Sequence, residues 1–147
     1  KLLSKKIKKK SKLNFVLNDF KFKKFKKKRK MYDFIIYFRS HENKFFEHHK
    51  KLIKEKLKIG KRILVVGDKI NIKGVNQLQF VNKKKLHKLI KDSDFVISGD
   101  DNLLSFFNLE CLQYKLKIIC NYKLLYQLPV NLKKYFIPYN FEKRKYL

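Results

Sequence analysis

Acidic residues are scarce in this chain of 147: twelve Asp and Glu stand against thirty-nine Lys and Arg, a formal net charge of +27. Small soluble domains usually carry a net charge of roughly 2 to 8 in magnitude, so this one calls for an anionic partner. Tryptophan is absent, methionine occurs once, and the four glycines compose neither GxGxxG nor GxxxxGK[ST]. Two cysteines, Cys111 and Cys120, fit neither a disulfide scaffold nor CxxC zinc spacing, and they suggest a reducing compartment. No apolar run reaches the roughly 18 residues of a spanning helix. The first residues lack both the apolar core of a signal peptide and the Arg richness of a transit peptide. The chain opens on Lys1 rather than Met, and no targeting inference is attached to that end.

What is abundant points to a folded core. Fourteen Phe, eight Tyr and 44% apolar residues exclude a wholly disordered polycation, which lacks large side chains to bury. Nucleic acid is the first candidate polyanion and an acidic membrane surface the second. A clean amphipathic helix for the membrane is missing, so no membrane partner is expected. Arginine occurs only as Arg29, Arg39, Arg62 and Arg144. That bias resembles the product of an AT-rich genome, so not every lysine is a contact.

The charge is uneven. Residues 1–30 hold fifteen Lys or Arg against Asp19 alone, a net of +14, leaving +13 for the other 117 residues. The expected organisation is a basic arm over 1–30 followed by one domain over 31–147, a usual single-domain length. Like-charge blocks such as 23–30 repel one another in isolation and order only against phosphates. Interleaved Leu13, Phe15, Val16, Phe20, Phe22 and Phe25 suggest that the middle of the arm also packs on something apolar.

From Met31, short β-branched and aromatic runs alternate with helical periodicity, the mark of a parallel α/β sheet. Strands are predicted at 33–38, 62–67, 78–81, 94–98, 117–120 and 135–137, the last as an edge strand ended by Pro138. Helices are predicted at 42–58, ended by Gly60, at 83–91, and at 102–114, whose apolar residues on most sides imply cover on both. The fold class is α/β: a Rossmann-like (flavodoxin-like) three-layer parallel sheet with a basic N-terminal extension and right-handed crossovers.

Constellations for chemistry are thin. Gly67-Asp68-Lys69 reads as a plain strand-to-helix turn in preference to a nucleotide loop. His48 and His49 point about 100° apart on a helix, unsuited to joint chelation, and His49 reads as a stripe-edge residue. His41 and His87 have no ligand-spaced partner, so no metal is expected. Asp100, Asp101 and Asn102 read as a cap for the following helix rather than a catalytic pair. Mid-helix Glu110 is either paired with a base or functional. Ser98 and Ser105 have no placed base, and neither a catalytic residue nor a cofactor is expected. Lysine neutralises phosphate without reading sequence. RNA contacts are expected from Lys5, Lys6, Lys8, Lys9, Lys10, Lys23, Lys24, Lys26, Lys27, Lys28, Arg29 and Lys30 in the arm. Lys69, Lys73, Lys83 and Lys84 in the domain, and Lys143 and Arg144 in the tail, complete the set.

The run Asp100 to Cys120 resembles the signature of the second protein of the small ribosomal subunit: strand, Asp, a helix with a Glu followed by a small residue, then a strand. Asp100, Glu110 and Cys111 stand at the Asp, Glu and Ala places. Ile137-Pro138-Tyr139-Asn140 resembles the family's Ile-Pro-x-Asn, and Gly60 to Lys69 resembles its Gly-Lys-Ile-Leu-Phe-Val-Gly-Thr-Lys segment. The likeness covers about residues 33 to 142. Only 26 residues separate Gly67 from Asp94, leaving no room for the family's projecting helical hairpin. The resemblance implies an rRNA-binding structural protein, between head and body of the small subunit and beside neighbouring small-subunit proteins. A reduced core with an added basic arm suits an organellar ribosome, in the mitochondrial matrix ahead of the plastid. The alternative is the nucleotide-sugar half of a group-one glycosyltransferase, whose Phe-Gly-x-x-x-x-Glu-Ala turn resembles Phe106 to Cys111. There Phe107 replaces the glycine and Asn102 the first Glu.

Overall fold

The computed structural model describes residues 22, 30–40, 46–99 and 101–147. Seven runs, mostly β-branched and aromatic, are strands: β1 (Tyr32–Phe38), β2 (Ile63–Gly67), β3 (Asn76–Leu78), β4 (Ser93–Ile97), β5 (Lys117–Asn121), β6 (Phe136–Asn140) and β7 (Lys145–Tyr146). They join in one sheet of order β3-β2-β1-β4-β5-β6-β7, parallel except for the antiparallel β6–β7 pair. Among the described residues four helices accompany it: α1 (Phe46–Lys58), α2 (Lys83–Lys91), α3 (Phe106–Gln113) and α4 (Val130–Lys133), with a 3-10 turn at Tyr122–Gln127.

Strand alternation sorts the core into two layers. Phe34, Ile36 and Phe38 of β1 face Leu52 and Ile53 of α1, together with Ile70 and Ile72. Ile35 faces the opposite layer, with Ile90 of α2 and Phe107, Cys111 and Leu112 of α3. Each such fully buried Leu or Ile contributes about 1.5 to 3 kcal/mol. The parallel strand order is that of two mononucleotide-binding halves meeting between β1 and β4, compatible with a Rossmann-like fold. It differs from the 2-1-3-4-5 order of a flavodoxin-like sheet because β3 adds itself outside β2. The β2–β3 connection spans only 68–75 and carries no helix; Ile70 and Ile72 cover the face that a helix would.

Several boundaries differ from the sequence expectation. The stretch predicted at 78–81 pairs at Asn76–Leu78. Pro138 does not end pairing: it lies opposite Cys120 inside β6. Its carbonyl accepts from Leu147 N–H, so its missing donor faces away from β5 and costs no ladder bond there. The edge is therefore β7, not β6. The helix predicted from 102 begins at Phe106 and is capped by Ser105, whose Oγ accepts from Asn108 N–H. Asn102 instead turns its own loop by accepting from Leu104 N–H at 3.0 Å. Nor is this helix covered on both sides, since Phe106 is 88% exposed. Gly60 does end α1 in the left-handed region, at φ +75. His41, Phe45 and Asp100 lie outside the described residues.

Candidate nucleic-acid interface

Open α/β sheets place ligands beyond the carboxyl ends of their strands, at the point where strand order reverses. Here side chains from both helix layers converge on the end of β4, and a hollow of about 310 Å³ lined by Tyr37, Arg39, Ser105, Phe106, Phe107 and Glu110 opens at the carboxyl end of β1. His49 of α1 is buried, not at a stripe edge, with its Nε2 2.6 Å from the Ser98 carbonyl at the end of β4. Asn108 of α3 reaches the same residue from the other layer, donating from Nδ2 to Ser98 Oγ at 2.9 Å and to the Leu103 carbonyl at 3.2 Å. The two helix layers are thus tied across the sheet by one buried polar relay. Ser98 serves as a knot and Ser105 as a cap.

The neighbouring turn is also structural. Gly67 sits at φ +117, and a Cβ there would come 2.1 Å from the Phe38 carbonyl oxygen. Asp68 Oδ2 accepts from both N–H and Oγ of Ser40, each at 2.8 Å, joining the turns that follow β1 and β2. Both features make a plain turn, but it leads into the helix-free connection to β3 and not into the expected helix. The first turn of α1 carries Glu47, an unfavourable charge where a phosphate would seek a helix N-terminus.

Glu110 resolves as a paired carboxylate. It lies 3.5 Å from Lys83 Nζ and 3.4 Å from His87 Nε2. The His87 approach is not aligned as a hydrogen bond, so Nε2 has no hydrogen-bond partner. The other ring nitrogen, Nδ1, is 3.1 Å from the Tyr114 hydroxyl. Burial pushes the Cys120 thiol up to about 12, and burial with the adjacent Glu110 charge raises Cys111 well above its ordinary value. Neither is a reactive thiolate. Among the described residues, no group of three or more His, Cys, Asp or Glu could hold a metal, and no helix is long and apolar enough to cross a membrane.

The surface left for binding is basic. On α2, Lys84, Lys88 and Lys91 recur at helical spacing on one face, and with Lys85 they line a hollow of about 790 Å³ beside Tyr114. No carboxylate among the described residues pairs with Lys84, Lys85 or Lys88. Of the expected contacts, Lys84 belongs to this hollow, whereas Lys83 is drawn to Glu110. Lys69 lines a separate hollow beside Gly67, and Lys73 another beside Lys54 and Lys58. Arg144 lies 3.9 Å from Glu55, and Lys143 is exposed in the β6–β7 turn. Lys30 donates from Nζ to the Lys91 carbonyl. Lys5, Lys6, Lys8, Lys9, Lys10, Lys23, Lys24, Lys26, Lys27, Lys28 and Arg29 lie outside the described residues. The expected contacts therefore do not share one face. Lys85, Lys88 and Lys91 were not among them, although their spacing from Lys84 was visible in the sequence.

Comparison with known proteins adds no relative: no family model, no curated protein and no solved structure matches this chain.

Proposed function

We propose that this chain is an rRNA-binding structural constituent of the small subunit of an organellar ribosome, mitochondrial ahead of plastid. The observation that carries the reading is a surplus of positive charge that the fold does not neutralise. The chain has twelve acids, and Asp33, Glu47, Glu55, Glu110 and Glu142 are already paired with bases. A ribonucleoprotein neutralises such a surplus with phosphates. The likeness of residues 33 to 142 to the second small-subunit protein supplies the particular assembly. Exposed Phe106, Tyr126 and Val130 offer apolar surface to neighbouring small-subunit proteins. The reading includes no catalysis, cofactor or membrane.

The glycosyltransferase alternative fares worse on its own residues. At the position of its glycine, Phe107 is buried and stacked on Tyr37 with ring centroids 5.2 Å apart, so a bulky ring stands where a glycine would let backbone approach a sugar or phosphate. Sedimentation of native extract, with and without RNase, tests the choice. The expected result is co-migration with small-subunit rRNA that RNase abolishes. A free peak indifferent to RNase would overturn the ribosomal reading.

A further inference from the structure

We infer that the outer face of α2, with the hollow at its foot, is the RNA-backbone docking surface of the folded domain; this rests on the rRNA-binding reading. Lys84, Lys88 and Lys91 follow one another at steps of four and three residues, so they share a face. At 1.5 Å rise per residue they span about 10 Å, the length of a short strand segment rather than of one isolated ion. Lys85 broadens the ridge into the hollow, whose volume of about 790 Å³ is large enough for a nucleotide. Asp92 is its sole acidic lining residue.

Two observations separate this ridge from the other lysines. First, α2 contains no acidic residue, and the one carboxylate near its inner side, Glu110, is engaged by Lys83 and His87. Helix α1 also presents exposed lysines, Lys51, Lys54 and Lys58, but it intersperses them with Glu47 and Glu55. Second, the ridge is continuous with the root of the basic arm. Lys30 donates to the Lys91 carbonyl, while the N–H groups of Met31 and Tyr32 both donate to the Asp92 carbonyl at 2.9 Å. Lys30, the last residue of the basic block in the sequence, is therefore held at the C-terminal end of α2. The surface is built for phosphates, because lysine supplies point charge and the face offers no planar bidentate donors for reading bases.

The test uses the full chain and a fluorescein-labelled stem-loop RNA, followed by anisotropy across a series of KCl concentrations. One variant combines Lys84→Gln, Lys88→Gln and Lys91→Gln; the matched variant combines Lys51→Gln, Lys54→Gln and Lys58→Gln on α1. Both remove the same charge and retain good helix formers. Each phosphate neutralised contributes about 0.7 to 0.9 to the slope of log K against log salt, so the α2 variant is expected to lose about 2 to 3 from that slope. The α1 variant is expected to lose less than about 1. Lysine-to-arginine replacement at the three α2 positions keeps the slope and shows that charge, not folding, is being read. An unchanged slope in the glutamine variant of α2, or an equal loss in both triples, overturns the inference while leaving RNA binding intact. Failure of the unaltered chain to bind RNA at all would overturn the functional reading along with it.

Discussion

Replacing Gly67 by alanine isolates the close packing between the ends of β1 and β2. The backbone there stands at φ +117, and the new methyl would lie 2.1 Å from the Phe38 carbonyl oxygen and 2.9 Å from a ring carbon of Phe80. The ring can turn aside, but the carbonyl is backbone and already accepts from Asp68 N–H at 2.9 Å. Relief of the clash must therefore move β1 away from β2 or break that bond. Backbone strain of this kind costs about 1 to 3 kcal/mol. Loss of the hydrogen bond adds about 0.5 to 1.5 kcal/mol. The expected destabilisation is about 2 to 4 kcal/mol, and for a domain of this size the thermal midpoint should fall by about 8 to 16 °C. Gly60→Ala supplies the comparison. That glycine also has positive φ, +75, but a Cβ there meets nothing within 4 Å. Conformational strain alone should cost it about 1 to 2 kcal/mol. Urea titration and calorimetry of both variants decide the matter. Equal losses at the two positions, or a loss under about 1 kcal/mol at Gly67, would refute the steric argument.

Asn108→Ala should destabilise by about 2 to 3 kcal/mol, because the buried Leu103 carbonyl loses one of its bonds and the Ser98 hydroxyl its donor; a urea midpoint unchanged from wild type would count against the relay. Asp33 begins β1. Burial works to raise its carboxyl pKa, but hydrogen bonds from Arg62 backbone and side chain, with the Lys61 and Arg62 charges, hold it below its ordinary 3.8. Its contribution is therefore present above that value and fades as pH falls through the lower folded one. The stability gap between wild type and Asp33→Asn should close on acidification from about pH 6 to about pH 2, and a pH-independent gap would exclude the charge effect. Cys111 and Cys120 should resist Ellman's reagent in the native protein and react fully after unfolding. Because the folded Cys120 value, about 12, lies above the ordinary 9.0, its linkage weakens the fold as pH rises above 9.0. Rapid native labelling would show that burial is not protecting the thiols.

Periodicity made much of the architecture legible. The runs at 33–38, 62–67, 94–98 and 117–120 each hold an unbroken apolar stretch of three or more residues, because parallel strands are covered on both faces. Helix α2 at Lys83–Lys91 was equally plain, since its few apolar residues fall on a single stripe. The start of α3 was misread: Asp101 and Asn102 have the side chains of a cap, and local preference could not say that the loop would run on to Ser105. Gln127 decides it, accepting from Leu103 N–H and donating to the Asp101 carbonyl, and it lies 24 residues beyond the loop it pins. Pro138 was misread for a similar reason. Whether a missing N–H harms a strand depends on which neighbour that bond would face.

The sequence by itself determined the α/β class of the fold and a formal net charge of +27, about half of it within the first thirty residues. Those properties follow from composition and from spacing along the chain, which need no long-range contact to be read. Tertiary structure alone decided which lysines remain available. Lys83 and Lys84 are neighbours in sequence, yet Lys83, itself exposed, lies 3.5 Å from Glu110 while Lys84 lines the hollow, since successive helix positions differ by about 100°. It also brought His49, Ser98 and Asn108 together from three elements at the carboxyl end of β4. Charge is a sum over residues, whereas a site is a coincidence of positions, and only folding brings those positions together.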